Sequence, residues 1–212
     1  MKTKNLFLIA TLMLLFAACK KKDSNDGTSA QGEMIVLTTA IPAGSNIQLS
    51  IDAAASDRAD LWVDLNTNGI KDAGEAVMNT SGALYVVPAS GKITVHGKVT
   101  RLGASSQRIS SLDVSKNPSL VSLICSGNMI PGLDLSKNTA LIELDCSKNR
   151  IGETAMASLL NSLPDRTGKT GGKAYVQFKE GADDETELNA AATPAQIDNG
   201  VRKNWLIYNS EI

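Results

Sequence analysis

Apolar residues between positions 99 and 161 recur with a step of 21. Val99, Leu102, Ala104 and Ile109 are followed by Leu120, Leu123, Cys125 and Ile130, and then by Leu141, Leu144, Cys146 and Ile151. A side-chain amide sits at the ninth place of each copy, at Gln107, Asn128 and Asn149. The second half of the unit recurs as well, as Leu-Asp-Val-Ser-Lys-Asn from Leu112 and Leu-Asp-Leu-Ser-Lys-Asn from Leu133. A fixed period of this length signals stacked copies of one unit, because a single copy cannot enclose its own apolar face. The amides have a mechanical reason. A chain that turns inward after a short strand leaves backbone donors and acceptors out of water, and an amide satisfies both kinds.

On either side the pattern changes. From Met34 to Lys98, alternating runs predict short strands at Met34–Thr39, Ile47–Ile51, Ala59–Val63, Ala83–Val87 and Lys92–His96, separated by turn signals such as Pro42-Ala43-Gly44 and Asn68-Gly69. After Ile151, Met156, Leu159, Leu160 and Leu163 mark one helical face that Pro164 ends. Ala174–Phe178 reads as a further parallel strand. Thr193-Pro194-Ala195-Gln196 opens a second helix with a capping box and Pro at the first helical position, and Trp205–Tyr208 reads as a last strand.

The pattern L-x-x-L-x-C-x-x-N-x-I resembles the leucine-rich repeat, and the L-D-[VL]-S-K-N half is similar to the nested 21-residue repeats of Bacteroides-type surface lipoproteins. That resemblance covers about a third of the chain. It implies an α+β fold: a short leucine-rich-repeat solenoid with a parallel β-sheet over residues 99–161, an all-β cap module over 33–98, and an αβαβ cap over 162–212. Cys125 and Cys146 share one slot of the unit. Their parallel side-chain directions suit a disulfide poorly, so they read as buried apolar fillers.

The first residues read as an address. Lys2 and Lys4 precede thirteen residues, Leu6 to Ala18, of which only Thr11 is polar, and Cys19 follows at once. That run is too short to cross a bilayer comfortably. Phe16-Ala17-Ala18-Cys19 resembles a bacterial lipobox, with Phe16 where leucine is usual. The resemblance implies a signal peptide over 1–18, lipidation of Cys19, and a polar tether over 19–32. The implied location is the bacterial outer membrane, exposed at the cell surface, with the periplasm-facing orientation as the alternative.

Charge changes the picture little. Twenty-one basic residues against 22 acidic ones, without a basic stripe interleaved with aromatics, argue against nucleic acid as a partner. One segment carries ligand chemistry. Asp64, Asn66, Asn68, Ile70 through its carbonyl, Asp72 and Glu75 fall at positions 1, 3, 5, 7, 9 and 12 of a calcium loop, with Gly69 at the turn. Three carboxylates and two amides point to weak Ca2+ binding, in the range of roughly 0.1 to 1 mM. The alternative is a hairpin whose Asn-Thr-Asn-Gly tip is simply good turn chemistry.

Catalysis finds no footing. His96 is the only histidine and lies in an expected strand without metal-ligand spacing, and Glu143 and Asp145 read as one solvated strand face. The expected function is therefore non-catalytic: a lipid-anchored surface protein that binds a protein partner through Arg101, Gly103, Ser122, Ile124, Glu143 and Asp145. The competing expectation is a calcium-stabilised, carbohydrate-binding accessory lipoprotein that holds a glycan near Trp62.

Overall fold

The computed structural model describes residues 32–77, 81–178 and 187–209. The proposed signal peptide and Cys19 lie outside the described residues. Among the described residues, eleven strands and two helices follow in the order β1 (Met34–Thr39), β2 (Asn46–Asp52), β3 (Trp62–Asp64), β4 (Ala83–Val86), β5 (Lys92–His96), β6 (Arg101–Gly103), β7 (Ile109–Asp113), β8 (Ser122–Ile124), β9 (Glu143–Asp145), α1 (Glu153–Ser162), β10 (Gly172–Gln177), α2 (Pro194–Arg202) and β11 (Trp205–Asn209). A 3-10 turn, Arg58–Asp60, occupies the start of the third expected strand and delays β3 to Trp62.

The strands form two sheets. A four-stranded antiparallel sheet has the order β3-β5-β1-β7, and a seven-stranded mixed sheet has the order β11-β10-β9-β8-β6-β2-β4. The 21-residue recurrence appears in the second of these. Arg101, Ser122 and Glu143 are register partners in the parallel strands β6, β8 and β9, as are Leu102, Leu123 and Leu144.

This architecture overturns the expected fold class of a leucine-rich-repeat solenoid held between two caps. Among the described residues the protein is a mixed α+β fold of two sheets and two helices, and these residues form one compact unit. Two features of the chain explain the difference. First, only the strand half of the unit repeats in structure: the rest is strand β7 in the first copy, strandless turns in the second and helix α1 in the third. Second, the flanking strands are woven into the repeats. β2 pairs antiparallel with β6, β1 pairs with β7, and β10 and β11 continue the same sheet beyond β9.

Burial follows the apolar pattern closely. Leu102, Leu123 and Leu144 are fully buried beside Ile35, Leu37, Ile51, Ile93 and Val95, so one core runs under both sheets. Helix α1 adds Met156, Leu159 and Leu160 to it. Helix α2 begins at the expected capping box, in which the Thr193 hydroxyl accepts from the Gln196 N–H and Gln196 Oε1 accepts from the Thr193 N–H. Cys125 and Cys146 are free thiols with no exposed surface, and burial raises both pKa values well above the ordinary 9.0.

Amides hold the turns that follow the parallel strands. Asn128 Oδ1 accepts from the N–H groups of Gln107 and Ile109, both at 2.9 Å, while Nδ2 donates to the carbonyls of Ala104 and Cys125. Asn149 does the same one strand further on, accepting from Ile130 and donating to Cys125 and Cys146. Gln107 departs from the expected role. Its Oε1 accepts from the Gln48 N–H at 2.7 Å, which ties β2 to the first copy. Asn189, outside the period, forms the last rung by accepting from Ile151 and donating to Cys146 and Val176.

The Asp residues of the second half-unit make tight turns. Asp113 accepts from the Ser115 N–H and Asp134 from the Ser136 N–H, each at 2.9 Å; hydrogen bonds from the Ser115 side chain and N–H hold the Asp113 carboxyl below its ordinary pKa of 3.8, and those from the Ser136 N–H and side chain do the same for Asp134. A depressed folded pKa contributes stability that is present above the unfolded value and lost as pH falls through the folded one.

Two outcomes are expected. Asn149→Ala leaves the buried Ile130 N–H without its acceptor and takes one of two amide donors from each of the Cys125 and Cys146 carbonyls, and lowers stability by about 2 kcal/mol, read as a lower urea midpoint with an unchanged slope. Asn can accept the same N–H bond without a titrating charge. The double variant Asp113→Asn/Asp134→Asn should therefore lose less melting temperature than the parent between about pH 5 and about pH 3.

Candidate functional site

Alternation along each strand sends every second side chain to the outer face of the seven-stranded sheet. The register aligns these residues into two rows. Asp52, Arg101, Ser122, Glu143, Lys173 and Leu206 form the first, and Ser50, Gly103, Ile124, Asp145, Tyr175 and Tyr208 form the second. All the residues expected on the binding face lie in these rows. The strands on either side contribute the other half, which the period alone could not reveal because β2, β10 and β11 do not belong to it.

The first row alternates in charge. Arg58 bridges Asp52 at 3.0 Å, Arg101 lies 3.9 Å from Glu143, and the Ser122 hydroxyl donates to Glu143 at 2.6 Å. Ser122 is only 6% exposed, so it supports Glu143 and does not itself face solvent. Exposed ion pairs of this kind add little stability. Their role here is to fix the direction of donors and acceptors on the surface.

Two clefts open along the face. One, of about 580 Å3, is bounded by Gln48, Ser50, Asp52, Arg101, Gly103 and Ile124. A β-carbon at Gly103 would come within 3.1 Å of Ser50, so glycine keeps the floor of this cleft low. The other, of about 380 Å3, lies over Ser126, Asp145 and Ser147 against the side chains of Tyr175 and Phe178. The Tyr175 ring is stacked on Tyr208, with centroids 4.3 Å apart and planes 6° from parallel.

The second candidate is the loop after β3. Asp64 is 3% exposed and accepts from three backbone N–H groups: Asn66 at 3.2 Å, Thr67 at 2.6 Å and Gly69 at 2.9 Å. Asn66 and Asn68 each accept from the N–H two residues on, and their Nδ2 groups both donate to Asp72 Oδ2, which lowers the Asp72 pKa. Glu75, 4% exposed, accepts from the Leu65 and Asp72 N–H groups and closes the loop across its base. The Ile70 side chain is exposed. The expected ligands thus share one loop and largely satisfy each other. Among the described residues, no three acidic, histidine or cysteine side chains are gathered as a metal group.

Beside this loop, His96 stacks on Trp62 with centroids 3.9 Å apart and planes 4° from parallel, so one face of the Trp62 ring is covered. Burial lowers the His96 pKa, and the nearby Asp64 and Glu75 carboxylates oppose that shift. Its Nε2 has no hydrogen-bond partner.

The chain matches no family model, no curated protein and no solved structure.

Asp64→Ala removes the acceptor of three N–H groups, and lowers the melting temperature even when a chelator is present. The expected cost is about 2 kcal/mol. An unchanged melting temperature in chelator would mean that the loop takes this shape only around a cation.

Proposed function

We propose that this protein is a non-catalytic contact protein, anchored by lipid at Cys19 to the bacterial outer membrane and exposed at the cell surface. It binds a protein partner through the outer face of the seven-stranded sheet. The observation that carries this reading is the pair of in-register rows from Asp52 to Leu206 and from Ser50 to Tyr208, donors, acceptors and apolar groups fixed on one rigid sheet. Six strands spaced by about 4.8 Å give a width of about 24 Å. A face of that size suits a transient partner better than an obligate one.

Rigid display costs little ordering on association. The alternating charges of the first row add direction without a strong net field, so specificity rests on register and not on long-range steering. Support for a non-catalytic role comes from the groups that could titrate. Glu143 is engaged by Arg101 and Ser122, Asp145 by Ser147, and His96 by the Trp62 ring.

The loop from Asp64 to Glu75 supports a second reading, weak calcium binding that stiffens this part of the protein. The alternate side chains of Asp64, Asn66 and Asn68 already turn their oxygens into the loop, and Gly69 adopts the positive φ of 72° that the sharp bend requires.

Chemical cross-linking on intact cells, followed by affinity capture of the full chain, tests the first reading. A discrete protein partner is expected, and Arg101→Glu should weaken its binding about tenfold without altering the fold. Capture that is indifferent to Arg101 and Ile124 substitutions would move the site elsewhere. For the loop, calorimetry with calcium should show binding at millimolar concentrations that Asp72→Ala abolishes.

A further inference from the structure

The cleft beside Tyr175 has a composition unlike the rest of the face. Tyr175 and Phe178 supply aromatic surface, while Asp145, Ser147, Ser126 and Lys148 supply polar groups, within a space of about 380 Å3. Its geometry follows from the register. Tyr208 covers one face of the Tyr175 ring from β11. The other face looks over β9, where the register partner is the much shorter Asp145, and beyond it stand Ile124 and Gly103. One aromatic face is therefore backed and the other open.

From this arrangement we infer that the cleft is a saccharide-binding site, taking one pyranose ring against the open face of Tyr175. The chemistry is complementary on both sides. A pyranose presents a face of C–H bonds, slightly positive, to the electron-rich face of an aromatic ring. Its hydroxyls then need acceptors and donors at the rim. Asp145 Oδ1 already accepts from the Ser147 N–H at 3.1 Å and from its hydroxyl at 2.7 Å, and Oδ2 carries no hydrogen bond from the described residues. The Ser126 hydroxyl, 3.1 Å from that of Ser105, continues the polar floor.

Tyr208 acts as a positioning residue. It holds the Tyr175 ring upright before any ligand arrives, which removes the cost of ordering it on binding. A flat hydrophobic ligand has less to gain here. It would stack on Tyr175 but leave the carboxylate and hydroxyls beneath it without partners. The site goes beyond the protein-contact reading and does not depend on it.

The methyl glycosides of glucose, galactose, mannose and N-acetylglucosamine, titrated separately into the 15N-labelled full chain, test the inference. At least one should shift the amide resonances of Asp145, Ser147 and Phe178 at millimolar concentration. Tyr175→Ala should weaken it at least about tenfold, Tyr175→Phe should stay within about threefold, and Arg101→Glu should leave it unchanged. Asp145→Asn keeps the acceptor for Ser147 and should still weaken binding, which guards against a variant that merely misfolds. No shift with any glycoside overturns the inference. So do shifts that persist in Tyr175→Ala, or a response to N-acetylphenylalaninamide or adenosine with none to the sugars.

Discussion

Buried side-chain amides are what allow this chain to stack very short strands. β6, β8 and β9 have three residues each, too few for a ladder to hold by itself, and the chain leaves each of them through a turn whose tip reaches the surface but whose inner backbone groups are buried. Asn128, Asn149 and Asn189 satisfy the donors and acceptors of those turns and link each turn to its neighbour. A buried polar group without a partner is costly, whereas a fully satisfied one specifies a single arrangement. The apolar slots of the repeat could tolerate a slip between leucine positions. The amides, each holding carbonyls on two successive strands, could not.

With register fixed in this way, the outer face follows as a geometric result. Ser50, Gly103 and Asp145 lie low beside Ile124, and the Tyr175–Tyr208 stack rises at one end. The two clefts lie where short side chains leave space. Function, in both proposals, uses side chains that contribute little to folding and are held by elements that contribute much.

The period and the strand and helix patterns were legible before any coordinates. The leucine slots are buried, the capping box at Thr193 forms, and the parallel strand after α1 is present. What the sequence did not disclose was which strands would share a sheet. Nothing in Asn46–Asp52 announces that it will pair with Arg101–Gly103, because strand pairing over such distances depends on the packed core and not on local pattern. Likewise the L-D-x-S-K-N motif repeats in letters, yet its surroundings differ in each copy, and this undid the solenoid expectation. Asn189 escaped notice because 40 positions separate it from Asn149 where the period is 21, although its bonds are those of the earlier rungs.

The matched register of β8 and β9 bears on how such a protein can change over time. Each of these strands meets its neighbour through the same leucine and cysteine slots and the same amide bonds, so the junction between them is self-compatible. Duplicating a 21-residue segment at that point would insert one more strand whose pairing edges match those of β8 and β9. The distance between the low polar end of the face and its aromatic wall could thus vary among descendants in whole-strand steps. Reach toward a ligand would become a quantity that recombination adjusts, without any redesign of the core.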